Sequence, residues 1–273
     1  MISVKDVSYT YMTGTPFEKT ALKNISFNVA DGEVLAIAGH TGSGKSTLIQ
    51  IIAGLIKLTR GTVEIDDLNV ADKKIRRLVG IVFQYPEHQL FEETVETDIA
   101  FGPKNFGLTD AEISARVEEA MRQVGLDANL KKVSPFELSG GQRRRVAIAG
   151  ILALKPKYLI LDEPTAGLDP PAKEKLLTEI FGAIKKSGVT IILVSHNMED
   201  IARFANRVVV LAQGKILFIG TPRELFAREE ILARAGLEPP PITQLLRVLN
   251  VKKPALTLDE AEKIINQLVS KKI

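Results

Sequence analysis

"VLAIAGHTGSGKSTLIQIIAGL", residues 34–55, joins two apolar runs through eight residues rich in glycine. The first run reads as a strand and the second as a helix, and the G-x-x-x-x-G-K-[ST] spacing between them is that of a loop that wraps phosphate. Each position has a physical reason. Gly39, Gly42 and Gly44 let the backbone turn its N–H groups toward an anion, Lys45 supplies a point charge for β- and γ-phosphates, and Ser46 places a hydroxyl on Mg²⁺. His40, Thr41, Ser43 and Thr47 complete the candidate nucleotide contacts, His40 at an unconstrained position with no individual role.

Further polar residues stand where other apolar runs stop. "YLILDEP", residues 158–164, ends in Asp162 and Glu163 side by side, a pair that a buried strand tolerates only beside a cation or an open cleft. Asp162 is expected to hold Mg²⁺ through water, and Glu163 to polarise the water that attacks the γ-phosphate. "TIILVSH", residues 190–196, ends in His196, expected to hydrogen-bond the γ-phosphate or that water, although a satisfied surface or core histidine suits the spacing equally. Gln84 follows another apolar run in "IVFQYPEHQLF" and reads either as a ligand of metal or water or as a surface amide. At the carboxyl ends of one parallel sheet these groups would converge on one crevice.

"LSGGQRRRVAIAG", residues 138–150, is too polar at its start to be core and too apolar at its end to be loop. It reads as a helix capped by Ser139, with Val146, Ile148, Ala149 and residues 151–154 continuing as its buried part. Backbone N–H groups at such a mouth suit an anion, or are simply capped.

The bulk of the chain sets limits. At 273 residues it can bury a sizeable core, and 45% apolar with 25% charged residues is ordinary for a soluble globular protein. A net charge of +3, with both signs interspersed, makes no demand for nucleic acid. The absence of cysteine excludes disulfides and thiolate metal sites. "MISVKDVSYTY" shows charge and alternation where a signal peptide would be apolar, and "VAIAGILAL" at 146–154 reaches about half the ~20 residues of a spanning helix. Any membrane role is therefore expected to go through a partner.

Alternating and continuous apolar runs predict an α/β fold: an antiparallel β part at the start, then a mostly parallel sheet with helices between its strands. Residues 109–124 form a helix opened by a Thr109/Glu112 capping box, with Ile113, Val117, Ala120 and Val124 on one face and Gly125 as its stop. From about residue 221 the composition turns helical: "TPRELFAREEILARA", then "EPPP" at 238–241, then two short amphipathic helices. The last opens on a Thr257/Glu260 box and carries Leu258, Ala261, Ile265 and Leu268 on one side. The expected organisation is a core of residues 1–220, with a helical subdomain at about 85–155 inside it, and a small helical C-terminal domain of residues 221–273.

"GHTGSGKS", Gln84, "LSGGQ", "YLILDEP", "AGLD" and His196 occur in the order and approximate spacing of an ATP-binding cassette ATPase, which the chain resembles over about residues 1 to 225. The resemblance implies that Ser139, Gly140, Gly141 and Gln142 form the half of the site that grips the γ-phosphate of a nucleotide held by an opposite subunit, two chains closing head to tail over two ATP molecules. It places Asp169 of "AGLD" in the loop coupling the two sites. Tyr11 in "VSYTYM" matches the aromatic that stacks on adenine, with Tyr9 as the alternative and core packing as the plainer role for either. "TGTPFEKTAL", "FQYPEHQLFEETVETDIAFGPKNFGL" and "PFELSGGQRRRVAIAGILA" resemble more narrowly the ATPase subunits of energy-coupling factor vitamin and metal-ion importers, particularly the second member of the usual unequal pair.

That resemblance implies a location on the cytoplasmic face of the membrane. It also implies a head-to-tail dimer with itself or a sister ATPase, docked on a transmembrane T component that carries a substrate-binding S component, and a C-terminal extension that aids dimerisation. Glu87, Glu92 and Glu93 around Leu90 and Phe91 give an apolar patch with acidic borders, suited to a basic coupling helix or merely to a solvated loop. Among other cassette proteins, the interval 46–138 lacks the sustained heptads of a chromosome-maintenance ATPase. One cassette is fewer than ribosome-associated relatives usually carry. A soluble scaffold ATPase, such as one serving iron–sulfur cluster assembly, stays open as the alternative.

Overall fold

The computed structural model describes residues 1–251 and 253–270, except the side chains of 185–187 and 268–270. Leu268, assigned above to the apolar side of the last helix, lies outside the described side chains. In chain order come β1 (Ile2–Tyr11), β2 (Lys19–Val29), β3 (Val34–Ala38), α1 (Lys45–Ile52), β4 (Arg60–Ile65), β5 (Leu68–Asn69) and β6 (Val79–Val82). Next are α2 (Val95–Asn105), α3 (Asp110–Gln123), α4 (Gly140–Leu152), β7 (Tyr158–Asp162), α5 (Pro170–Ser187), β8 (Thr190–Val194) and α6 (Met198–Phe204). β9 (Arg207–Ala212), β10 (Lys215–Gly220), α7 (Pro222–Phe226), α8 (Glu229–Ala235), α9 (Pro241–Val248) and α10 (Leu258–Ser270) complete the order. Two compact units emerge, Met1–Ala71 with Ile192–Ile273, and Asp72–Ile191.

In the first unit β1 pairs antiparallel with β2 and β4, giving a sheet in the order β2-β1-β4-β5. Its buried face alternates except where register shifts, the first after Val4, add a residue: Ile2, Val4 and Val7 from β1 meet Leu22, Ile25, Phe27 and Val29 from β2. β3 runs parallel to β9, and β9 antiparallel to β10. Leu35, Ala36, Ile37 and Ala38 have no exposed surface at all, so β3 is covered on both faces, which is why it reads as an unbroken apolar run.

The stretch 221–235 is helical in two pieces. Arg228 leaves the helical region at φ −110° and ψ 86°, and the break lets Leu225 and Phe226 of α7 and Leu232 and Ala235 of α8 all join the core around Ala36, Ala38, Val208 and Val210. α9 and α10 instead share a small cluster of Leu246, Ala255 and Ala261. The Thr257/Glu260 box is only half made. Thr257 Oγ1 accepts the Glu260 N–H at 3.3 Å, but the Glu260 carboxylate turns to the Leu256 N–H at 3.0 Å and to Arg223 Nη2, whose charge strengthens the hydrogen bonds it donates to both carboxylate oxygens.

In the second unit β6 and β7 pair in parallel, Val79 opposite Tyr158 through Val82 opposite Leu161. α4 lies so close to β6 that a Cβ on Gly80 would come within 2.7 Å of Ile151 Cγ2. Thr109 and Glu112 form the expected reciprocal box at the start of α3, and Gly125 follows its end at φ +66°. α4 ends at Leu152 with Ala153 as its cap, so Leu154 falls just past the helix.

Candidate functional site: a phosphate loop and an acidic strand end

The loop after β3 is a cradle in which side chains do not fit. Gly39 at φ +148° would put a Cβ 2.3 Å from Leu211 O and 2.6 Å from Ser43 Oγ, and Gly44 at φ +110° would put one 2.7 Å from Leu22 Cδ2. Both conformations lie in the region that glycine alone enters cheaply. Gly44 stands at the N-cap of α1, and among the described residues no side chain caps that helix. Lys45 is buried and folds over the loop, its Nζ donating to Gly39 O at 2.8 Å and His40 O at 3.1 Å. The Ser43 hydroxyl is buried without a hydrogen-bond partner among the described residues. A glycine loop at positive φ, a lysine folded over it and a helix start make a surface that fits polyphosphate. His40, Thr41, Gly42 and Ser46 are exposed at its rim.

Tyr11 belongs to this loop and not to the core. Its hydroxyl is 3.0 Å from Thr47 Oγ1, two residues beyond Lys45, and 37% of the residue is exposed. Tyr9 packs edge-on against it, ring centroids 4.7 Å apart. His196 is also exposed: Ser195 N donates to Ile37 O at 3.4 Å, so His196 emerges beside the strand end from which the loop springs.

The second unit carries the acidic group. β7 is buried through Leu161, Asp162 is half-buried, and the chain then turns sharply, with Glu163 in the left-handed region at φ +47°. Gln84 Nε2 donates to Glu163 Oε2 at 3.0 Å, joining two candidates that lie 79 residues apart. Ser139 caps α4 in a reciprocal box: Ser139 Oγ accepts the Gln142 N–H at 3.3 Å, and Gln142 Oε1 accepts the Ser139 N–H at 3.0 Å. Beyond Gly140 and Gly141 lies open space: outside their own helix, no described residue comes within 4 Å of a Cβ on either. Asp169 has a local task as N-cap of α5, accepting the Ala172 N–H at 2.9 Å.

The acidic apolar patch differs from its sequence reading. Leu90 is buried at 7% exposure and presents nothing; Phe91 is exposed at 58% and meets Phe101 edge-on, centroids 4.9 Å apart. Asp98 holds the turn by accepting the N–H groups of Phe91 and Glu92. Glu87 points inward to Arg144, which the sequence reading did not single out: Oε1 accepts from Nη2 at 2.7 Å and Oε2 from Nε at 2.9 Å. Burial opposes the charged form of Glu87, but the hydrogen bonds and charge of Arg144 outweigh it and hold the carboxyl below its ordinary range.

Among the described residues no three His, Cys, Asp or Glu side chains cluster to hold a metal ion. A hard cation held mainly by phosphate and water needs only a hydroxyl and one or two further oxygens, and Ser46, Gln84 and Asp162 carry donors of that kind.

The family model described as ABC transporter matches residues 22–166. The energy-coupling factor transporter ATP-binding protein EcfA2 of Caldanaerobacter subterraneus subsp. tengcongensis is 54% identical over 97% of this chain and 96% of its own length. That of Clostridium acetobutylicum is 51% identical, again over 97% and 96%. A solved structure of cbiO1 from Clostridium perfringens, described as part of the ABC transporter complex cbiONQ, has a TM-score of 0.75 at 38% identity, covering 90% of this chain and 98% of that one. A dimeric structure of the bacterial ABC transporter cassette MJ0796 follows at 0.72 and 34%, covering 82% and 99%. The chain belongs to the ABC transporter family of ATPases, among its energy-coupling factor ATP-binding proteins. These similarities favour transport over the scaffold alternative.

Proposed function

We propose that this chain is the ATP-hydrolysing subunit of an energy-coupling factor importer, acting as half of a head-to-tail dimer on the cytoplasmic face of the membrane. The observation that carries the reading is the glycine cradle around Lys45 together with an open, serine-capped mouth at α4. Phosphates of ATP lie along the N–H groups of residues 39–47, Lys45 turns from the loop carbonyls to them, and Tyr11 stacks on adenine. Ser139, Gly140, Gly141 and Gln142 meet the γ-phosphate of the nucleotide held by the other subunit, and Asp169 sits where the two sites communicate. Mg²⁺, held by Ser46 and reached from Gln84 and Asp162, would neutralise charge developing on the phosphates. Glu163 takes a proton from the attacking water and His196 hydrogen-bonds near the γ-phosphate.

Binding joins the faces and hydrolysis releases them, so partners gripping each subunit follow a two-state motion. No described helix is long and apolar enough to cross a membrane. The grip we assign to Phe91, Glu92 and Glu93, with Phe101 beside them and a basic helix of a T component as counterpart. An S component on that T component selects the vitamin or metal ion carried. Residues 221–273 act as the small C-terminal domain, its α9 and α10 serving dimerisation, behind a core of residues 1–220 with its helical subdomain at about 85–155.

Reversing charge at Glu92 and Glu93 tests the grip: uptake should fall while ATP turnover of the isolated ATPase dimer stays within roughly twofold, since rim charges act mainly on docking. Unchanged uptake by cells carrying both reversals would remove this surface from the account.

A further inference from the structure

The Arg144 guanidinium ties together three segments of the second unit that the proposed chemistry uses: α4, the turn after Gln84 and the turn after Glu163. It lies on α4, five residues past the Ser139 cap, with only 2% of the residue exposed. Its Nε and Nη2 fork onto Glu87, which sits in the turn directly after Gln84. Its Nη1 donates to Ala166 O at 2.7 Å, in the turn that Glu163 opens by accepting the Ala166 N–H at 3.0 Å. The same guanidinium lies 5.9 Å from the ring centroid of Tyr85, and a Cβ on Gly167 would be 3.5 Å from that ring.

Two non-glycine residues at this junction, Tyr85 and Glu163, stand at φ +55° and +47°. Such conformations persist only where surrounding contacts over-determine them. A planar fork with five donors in fixed directions can supply that determination; a lysine ammonium at the same place cannot.

We infer that Arg144 is a positioning residue: by tying α4 to the Glu87 turn and to the Ala166 carbonyl at once, it holds Glu163 and Gln84 at their working separation and makes that separation follow the position of the Ser139 mouth. A subunit whose Ser139 mouth is engaged thereby has its own carboxylate in place. This rests on the role proposed for Glu163, and it adds that the role depends on a fork 19 residues earlier in the chain.

Arg144→Lys keeps the charge and loses the fork, and Glu87→Gln keeps the volume and loses the charge, so the second variant decides if the first does not fold. Both are made in the full chain assembled with its partners, and ATP turnover is measured beside ATP affinity and thermal unfolding. We expect kcat to fall at least about tenfold in each, within the range that a misplacement of about 1 Å costs, with KM and affinity held within roughly threefold. Placed in a Glu163→Gln background, neither change should lower the residual turnover by more than roughly twofold, because the group being positioned is already gone. Turnover near the unmodified level in the variants that fold, or the same loss of kcat in the Glu163→Gln background, overturns the positioning role. If Glu163→Gln alone keeps normal turnover, the assignment of the base itself fails, and the positioning role with it.

Discussion

ATP turnover of the Glu163→Gln variant is expected to fall by about 10²-fold or more, the contribution of a positioned general base, while ATP still binds. The substitution is close to isosteric, and an amide oxygen can still accept from Gln84 Nε2, now 3.0 Å from the carboxylate, so the local turn has no reason to rearrange. What disappears is the capacity to take a proton from water. A matching fall in kcat and kcat/KM, with ATP affinity held, is the signature of an interaction made only in the transition state. Normal turnover would refute the assigned role, whatever the variant's stability.

The second large effect belongs to Lys45. Lys45→Ala removes a cation from a buried position over the loop, where a hydrogen bond to a charged group contributes about 1.5 to 3 kcal/mol. Nucleotide affinity should therefore drop on the order of 10- to 100-fold for ATP. The fold should survive, since Gly39 and Gly44 are set by backbone conformation and by their approach to Leu211 and Leu22, although Gly39 O and His40 O lose the Lys45 donor. Titration with ATP beside a thermal melt separates lost binding from lost fold. Undiminished affinity would mean that the phosphates do not lie along this loop.

These two residues were also the most legible ones. Lys45 and its glycines are specified by local rules: a strand, a turn that demands positive φ, a helix start. The Thr109/Glu112 box and the Ser139 cap follow from the same short-range logic; the structure forms the first in full and adds Gln142 to the second as a reciprocal partner. Legibility ended where a residue's partner was chosen by the fold. Arg144 sat unremarked in the run Arg143-Arg144-Arg145, although Ile148 and Leu152, spaced four and eight residues later, point to the buried side of α4. That spacing turns Arg144 inward, where a buried guanidinium requires a carboxylate. Nothing local says that the carboxylate is Glu87, 57 residues earlier.

The same limit explains Leu90 and Glu260. Leu90 and Phe91 are adjacent apolar residues in an irregular turn, where no period tells which goes inside; the Asp98 cap on the following N–H groups decides it. Glu260 has the spacing of a capping box, but Arg223, 37 residues earlier, competes for it and takes part of its carboxylate. Alternation alone likewise leaves Tyr11 and Tyr9 both open, and the hydroxyl contact of Tyr11 to Thr47 depends on the fold rather than on local sequence.

The central claim is that ATP is gripped between the Lys45 loop of one subunit and the Ser139 mouth of another. Its most direct test is the mass of the full-length Glu163→Gln chain in solution, measured by light scattering with ATP and Mg²⁺, alone and mixed with a sister ATPase. A stable dimer that appears only with nucleotide is expected, and it should be lost again in Ser139→Glu, which sets a like charge against the γ-phosphate. A mass that stays at a single subunit under every one of these conditions would contradict it.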